Sequence, residues 1–104
     1  MIIEQRTYTF HPGALPKFLT LYDQPVRDLQ LALLGNLVGY FATEIGALNQ
    51  TVHLWGYDSF EERQRRRAAL MKHPEWQAFL TSLFPLLASQ ESKLLNPLPF
   101  SPIR

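Results

Sequence analysis

Apolar and polar positions along the first third of the chain predict one strand followed by a helical region. The strand is Ile2–Phe10, a run rich in Ile, Thr, Tyr and Phe that ends at a turn signal, residues 11–13. Residues 13–34 place apolar side chains mostly three or four positions apart, which is typical of one helix face. Pro25 lies inside this pattern and lacks a backbone N–H, so we expect the helix to kink or break near residues 23–24.

Two more β-rich runs, residues 36–44 and 50–58, flank a short loop that contains Gly46, and together they predict a β-hairpin. Ser59 and Glu62 follow with the spacing of a capping box. In such a box the hydroxyl accepts one free backbone N–H and the glutamate reaches back to another. This spacing predicts a helix from residue 59 to about residue 72.

Prolines organise the last third of the chain. Pro74 is suited to the first position of a further helix, and Pro85 should disturb the last turn of that helix. Residues 89–95 then predict a fourth strand, with a longer helix as the alternative. Residues 96–104 contain three closely spaced prolines, which predict an extended tail.

The resulting order βαββαβ predicts an α+β, ferredoxin-like fold with an antiparallel sheet. In the third strand Val52 and Leu54 face one way, while His53, Trp55 and Tyr57 face the other. In the second strand the side chains of Val38, Tyr40 and Ala42 face one way, and those of Leu37, Phe41 and Thr43 face the other. Neither set is cleanly polar, so we expect both sheet faces to be covered. The two helical segments cannot cover both faces, and a second copy of the chain would supply the missing layer.

Composition narrows the class of protein. A length of 104 residues predicts a single domain, and 46 % hydrophobic with 18 % charged residues is typical of a folded chain. The net charge of +1 gives no overall field that would attract nucleic acid. The absence of cysteine excludes disulfides and thiolate zinc sites. Residues 1–10 lack a signal peptide pattern, and no apolar run approaches membrane-spanning length, so we expect a cytoplasmic protein without membrane insertion.

Several segments together resemble the NIPSNAP family. They are residues 6–9 (RTYT), 37–50, 52–58, 62–70, 74–77 and 99–102 (PFSP), which extend over nearly the whole chain. The resemblance implies a dimeric α/β-barrel, in which the sheets of two ferredoxin-like protomers close together. It also implies kinship with a superfamily that includes cofactor-free monooxygenases, whereas the NIPSNAP branch itself has no settled biochemical activity.

Three strand residues are candidate catalytic groups: His53, Arg6 and Tyr40. Arg6 could hold a carboxylate or enolate while the tyrosine or histidine moves a proton, which suits an aromatic or β-keto substrate. Candidate ligand-binding residues are Tyr8, Glu44, Asn49, Trp55 and Tyr57. The alternative is an aromatic core in which His53 has a hydrogen-bond partner and Arg6 pairs with a glutamate. For Asn49 the favoured interpretation is turn chemistry.

An arginine-rich stretch, Arg63 with residues 65–67, could suggest nucleic acid binding. The pairs Glu61–Arg65 and Glu62–Arg66 have helical i,i+4 spacing, however, and predict a charged, solvent-facing side of the helix. No second histidine lies at metal-ligand spacing, and no phosphate loop or dinucleotide fingerprint is present. We therefore expect no metal, no cofactor and no nucleic acid partner.

Two functions of different classes remain open. In the first, a homodimer binds a small apolar or aromatic molecule between sheet and helices or inside the barrel, with cofactor-free monooxygenase-like chemistry as its catalytic form. In the second, the dimer is a non-enzymatic scaffold that meets a protein through its arginine-rich helices or its tail. A cavity beside His53, Tyr40 or Arg6 is the feature that separates them.

Overall fold

The strands and helices follow the predicted order in a computed structural model that describes residues 1–104. They are β1 (Ile2–Phe10), α1 (Leu15–Leu21), α2 (Val26–Leu34), β2 (Asn36–Ala42), β3 (Gln50–Tyr57), α3 (Phe60–Met71), α4 (Pro74–Leu83) and β4 (Leu87–Leu95). The sheet order is β2-β3-β1-β4, and every neighbouring pair is antiparallel. The predicted ferredoxin-like α+β fold is confirmed.

Local signals set the element boundaries. The helical region breaks as expected, because Pro25 cannot lie inside a helix and instead precedes the first turn of α2. The capping box at α3 is present: Ser59 Oγ accepts from the backbone N–H of Glu62 at 3.1 Å, and Glu62 Oε2 accepts from the backbone N–H of Asp58 at 3.1 Å. Pro74 begins α4.

The sequence left open whether the chain after α4 forms a fourth strand or a longer helix, and the structure shows the strand. Pro85 lies in a single 3₁₀ turn, Phe84–Leu86, and the chain then continues as β4 rather than as a longer helix. This strand begins two residues earlier than expected. The tail beyond Leu95 contains no helix, and its turn is closed by a hydrogen bond from the Ser101 N–H to the Leu98 carbonyl at 2.9 Å.

All four helices contribute to a single core on one face of the sheet. Residues paired directly across antiparallel strands share a face, and the register pairs Glu4 with Trp55 and Arg6 with His53. Aromatic side chains dominate the core between these strands and the helices. The buried members are Tyr8, Phe10, Ala14, Phe18, Leu34, Trp55, Tyr57, Leu70, Trp76, Phe79 and Leu83.

A bulge in β2 changes one predicted side-chain direction. Leu37 pairs with Trp55 and Tyr40 pairs with His53, so the register shifts by one residue between Leu37 and Gly39. The extra residue places Leu37 on the helix-covered face together with Tyr40. The prediction that Leu37 faces away from Tyr40 is therefore wrong, because regular alternation cannot anticipate a bulge.

The other sheet face carries no helix. Val52, Leu54 and Thr7 lie there half-buried, and Phe41 is 59 % exposed. Within one chain the helices thus cover one face only, and coverage of the second face by another copy stays a prediction. No helix is both long enough and apolar enough to cross a membrane.

Candidate functional site

A buried carboxylate lies at the centre of the helix-covered face. Glu4 is 0 % exposed, and its Oε2 accepts hydrogen bonds from Arg63 Nη2 at 2.7 Å, Arg6 Nη1 at 3.1 Å and Ser92 Oγ at 2.6 Å. Burial alone would raise the pKa of Glu4. The hydrogen bonds from Arg63 and Ser92 and the charge of Arg6 outweigh burial and lower the pKa to about 2. Glu4 is therefore ionised at neutral pH.

Arginines outnumber carboxylates around Glu4. Arg67 also faces this region, but it forms none of the salt bridges in the chain. Burial, followed by the charge of Arg6, lowers the pKa of Arg67. Three guanidinium groups thus lie near one carboxylate, and two of them, those of Arg6 and Arg63, are paired with it.

Two arginines of α3 overturn the prediction of a wholly solvent-facing charged side. Arg63 and Arg67 lie four residues apart and share a helix face with the buried Leu70, so they turn toward the sheet. For Arg66 the prediction is confirmed, since its Nε donates to Glu62 Oε1 at 2.9 Å. Arg65 is exposed. The spacing of Arg63, Arg67 and Leu70 was the signal that could have revealed the inward face.

His53 is held in an aromatic cage and is neutral. Trp55 Nε1 donates to His53 Nδ1 at 2.8 Å, so the neutral ring carries its proton on Nε2, which has no hydrogen-bond partner. The Tyr40 ring stacks on the imidazole with 4.3 Å between centroids, and the Tyr8 ring meets it edge-on at 5.0 Å. Burial and then the charge of Arg6 lower the pKa of His53 to about 3. At neutral pH His53 is a weak base and a buried donor.

Three tyrosines of the site, Tyr22, Tyr40 and Tyr57, are neutral as well. Burial raises the pKa of Tyr22 and of Tyr40. Burial, with the charge of Glu4, raises the pKa of Tyr57 to about 12. Tyr22 donates a hydrogen bond to Gln30 Oε1 and packs against Tyr40 with 5.5 Å between ring centroids. The inner wall of the site near β2 is therefore aromatic and uncharged.

Two cavities lie on either side of a narrow gap that His53 lines. The larger, here called the β2-edge cleft, has a volume of about 350 Å³ and lies between β2 and helices α1 and α2. Its apolar and aromatic walls are Phe18, Leu19, Tyr22, Leu31, Leu37, Tyr40, Phe41 and Ala42, and its two polar lining residues are Arg27 and Thr51. The smaller, here called the arginine pocket, has a volume of about 160 Å³ and lies between strands β1 and β4 and helices α3 and α4. Its walls include Arg6, Tyr8, Gln30, Arg67, Trp76 and Gln90. A narrow gap with no room for water separates them beside His53.

The structure brings most of the predicted site residues to one place. His53, Arg6, Tyr40, Tyr8, Trp55 and Tyr57 all lie on the helix-covered face. Glu44 does not join them: the predicted strand of residues 36–44 ends at Ala42, so Glu44 lies exposed in the following loop. Asn49 has a left-handed φ of 63°, and its carbonyl accepts from the Phe10 N–H at 2.7 Å, as turn chemistry requires.

The carboxylate that meets Arg6 is Glu4, which sequence reasoning did not select. Glu4 has the same strand parity as Arg6 and Tyr8, so alternation alone could have placed all three on one face. Ser92 and Gln30 were missed for another reason. They come from distant parts of the chain, and no local pattern connects them with β1.

The family follows from a whole-chain match. The sequence profile of the NIPSNAP family matches residues 3–102. The chain belongs to the NIPSNAP family. This NIPSNAP chain is 37 % identical over 94 residues to the protein NipSnap homolog of Dictyostelium discoideum, which covers 90 % of the chain and 41 % of that relative. It superimposes on the crystal structure of a NIPSNAP family protein from Agrobacterium tumefaciens with a TM-score of 0.95 and 42 % identity, covering 99 % of the chain and 98 % of that protein.

The chain is shorter than its curated relatives, and its fold extends beyond the family. The NIPSNAP chain spans about two-fifths of the length of the curated relatives that it matches. It also superimposes on an antibiotic biosynthesis monooxygenase with a TM-score of 0.65 and 12 % identity, covering 95 % of the chain and 100 % of that protein. At that identity the likeness shows the shared fold alone.

Proposed function

We propose that this NIPSNAP chain binds a small apolar or aromatic molecule in the β2-edge cleft. The observation that carries the proposal is the cleft itself: about 350 Å³, with eight of its ten lining residues hydrophobic. This volume lies within the range of small-molecule sites, which is roughly 300–1,000 Å³. Leu19 and Phe41, both about 60 % exposed, form its mouth.

Neutrality of the inner wall favours an uncharged ligand. Tyr22 and Tyr40 line the cleft, and burial raises the pKa of both phenols. The one charged residue of the lining, Arg27, has a side chain that is 43 % exposed and is paired with Asp23 at 3.5 Å. On the aromatic inner wall a charged molecule would therefore lose hydration without gaining a free counter-ion. Behind the Tyr40 ring lies His53, whose Nε2 is a buried donor without a partner. Rotation of Tyr40 would join the cleft to the gap beside His53 and let a ligand carbonyl or hydroxyl accept that hydrogen bond.

The catalytic form of the proposal is a cofactor-free, monooxygenase-like oxidation of the bound molecule. One oxygen atom of O₂ would replace two hydrogens of a substrate CH₂ group as a carbonyl, and the other atom would leave as water, with the electrons coming from the substrate. Its support is the shared fold, which is an analogy. In this reaction His53, with a pKa of about 3, serves as a neutral Nε2–H donor and not as the base.

We propose in addition that the protein works as a homodimer. The sheet face without helices carries half-buried Val52 and Leu54 and exposed Phe41 across neighbouring strands. Apolar groups at the centre of an open sheet face favour a second sheet against it. Isologous packing of two such faces would give each protomer its second layer.

A cleft-filling variant tests the binding proposal. Ala42 is exposed and lines the cleft, so Ala42→Trp should fill it without disturbing the core. Ala47→Trp, in the exposed loop after β2, is the matched control with the same added ring. With 1-naphthol, a neutral aromatic probe, followed by calorimetry, we expect binding to wild type and to Ala47→Trp and a loss of at least about tenfold in Ala42→Trp.

Equal affinity of the two variants for 1-naphthol would refute the cleft as the site. That result would shift support to the other candidate, a non-enzymatic dimeric scaffold. Native mass spectrometry of gently purified protein supplies an independent readout. It reports the oligomeric state and any bound small molecule in a single measurement.

A further inference from the structure

We propose that the arginine pocket is a second binding site, which takes a small carboxylate through Arg67 and Arg6. It lies on the far side of His53 from the β2-edge cleft and shares no lining residue with it. Its ligand differs in charge from the neutral molecule proposed for the cleft. The two sites can therefore be tested separately.

Charge balance around Glu4 is the first observation that supports this site. Arg6 and Arg63 both donate to Oε2 of the same carboxylate, at 3.1 Å and 2.7 Å. Arg67 is half-buried beside them and forms no salt bridge. Glu62, the nearest acid on the same helix, is already paired with Arg66. The region thus carries two more positive than negative charges, and a buried charge without a partner is unfavourable unless a counter-ion is supplied.

The geometry of the pocket brings these charges to a free space. Arg6 and Arg67 face it from β1 and α3, and Gln90 faces it from β4. The pocket volume of about 160 Å³ is roughly ten times what one water molecule needs. Met71 and Phe84, each about half exposed, line its outer part. A ligand can therefore reach the guanidinium groups from solvent.

The chemistry of the walls favours a carboxylate with an apolar body. Guanidinium groups bind carboxylates through paired N–H donors in a fixed plane. Gln30 accepts from Tyr22 through its Oε1, which leaves its NH₂ group free to donate toward the pocket. Trp76 and Tyr8 supply flat aromatic walls. An aromatic or short aliphatic monocarboxylate matches this combination better than an inorganic anion does, because the aromatic walls need an apolar partner.

Benzoate is the probe, and benzamide is its neutral counterpart of the same shape. We expect benzoate to bind wild type with an affinity that weakens as salt is raised, and benzamide to bind at least about tenfold more weakly. Arg67→Gln should reduce benzoate affinity at least about tenfold. Arg65→Gln removes the same charge from the exposed side of the same helix and should leave the affinity unchanged.

A second variant keeps the test independent of any folding defect. Gln90→Glu places a fixed carboxylate in the pocket, so we expect a higher Tm and loss of benzoate binding. Ser89→Glu adds the same charge one residue away on the opposite strand face and should do neither. Arg67→Gln should also leave the Tm of the free protein unchanged or raise it, because it removes an unpaired, half-buried cation.

Several results would overturn the proposal. The first two are that wild type does not bind benzoate at millimolar concentration and low salt, or that it binds benzamide as tightly as benzoate. The other two are that phosphate binds as tightly as benzoate, or that Arg67→Gln and Arg65→Gln have equal affinity for benzoate. The cleft proposal would be unaffected by any of these, since 1-naphthol binding depends on Ala42 and not on Arg67. Conversely, loss of 1-naphthol binding would leave the benzoate result intact.

Discussion

Replacement of Glu4 by glutamine should strongly destabilise the protein while leaving the shape of the side chain intact. Glutamine removes the charge that receives hydrogen bonds from Arg63 at 2.7 Å and Arg6 at 3.1 Å. Both arginines would stay largely buried, with side chains 16 % and 14 % exposed, and neither would have a counter-ion. The cost therefore includes the lost interaction and the two uncompensated cations that remain.

The magnitude follows from the ionisation of Glu4. Its pKa in the folded protein is about 2, against an ordinary value of 4.5. Each pKa unit between the folded and unfolded states corresponds to about 1.4 kcal/mol. The ionised carboxylate thus stabilises the fold by about 3 kcal/mol relative to its protonated form. Removal of one partner from a buried ion pair typically costs about 3–5 kcal/mol, which agrees with this value.

Urea unfolding at pH 7, followed by circular dichroism, measures the loss directly. We expect Glu4→Gln to lose about 3 kcal/mol or more of unfolding free energy. Glu61→Gln is the matched control, because Glu61 is exposed in the first turn of α3, and it should lose less than about 1 kcal/mol.

The pH dependence gives the same prediction a second readout. Because the pKa of Glu4 is lowered on folding, its stabilisation is complete above pH 4.5 and is lost as the pH falls toward 2. Wild type should therefore lose more stability in that interval than Glu4→Gln does. If Glu4→Gln lies within about 1 kcal/mol of wild type at pH 7, or if the two acid profiles coincide, the carboxylate does not have the role described for it.

Three further predictions concern other parts of the chain. The pKa of His53 falls from 6.5 to about 3 on folding, so wild type should lose unfolding free energy as the pH drops from 6.5 to 4.5, by up to about 1.4 kcal/mol per pH unit. His53→Gln should flatten this pH dependence, whereas His73→Gln should not. Urea unfolding at each pH measures the difference. Leu54→Glu on the open sheet face should convert a dimer to a monomer in analytical ultracentrifugation, while Leu48→Glu in the exposed loop should not. Identical sedimentation of the two variants would count against a dimer formed through this face. Ser59→Ala should cost about 1 kcal/mol through loss of the α3 cap, and no change in Tm would contradict the capping role.

The fold could be predicted because its boundaries depend on local chemistry. Pro25 ends one helix and precedes another, Ser59 caps α3, and Pro74 begins α4. Each of these signals acts within about one helical turn of the residue that carries it. The bulge between Leu37 and Gly39 was not predictable in this way, since it depends on how β2 pairs with β3.

The candidate site could be predicted only in part, because its centre depends on contacts between distant residues. Strand parity correctly placed His53, Trp55 and Tyr57 on one face. Glu4, by contrast, is stabilised by Arg63 and Ser92, which are 59 and 88 residues away in sequence. A lone carboxylate in a strand has the appearance of a surface residue until such partners are known.

The helix-covered face has a cationic region and an uncharged aromatic region, which meet between Arg6 and His53. These residues are direct neighbours across β1 and β3, yet Arg6 lines the cationic pocket whereas His53 lines the narrow gap behind the aromatic wall of the cleft. Arg6 itself helps to keep His53 neutral, because a nearby positive charge disfavours the imidazolium. A carboxylate bound in the arginine pocket would weaken that effect and raise the pKa of His53. Burial is the larger cause of the low pKa, however, so His53 would stay neutral at pH 7 and the cleft would remain suited to an uncharged ligand whether or not the pocket is filled.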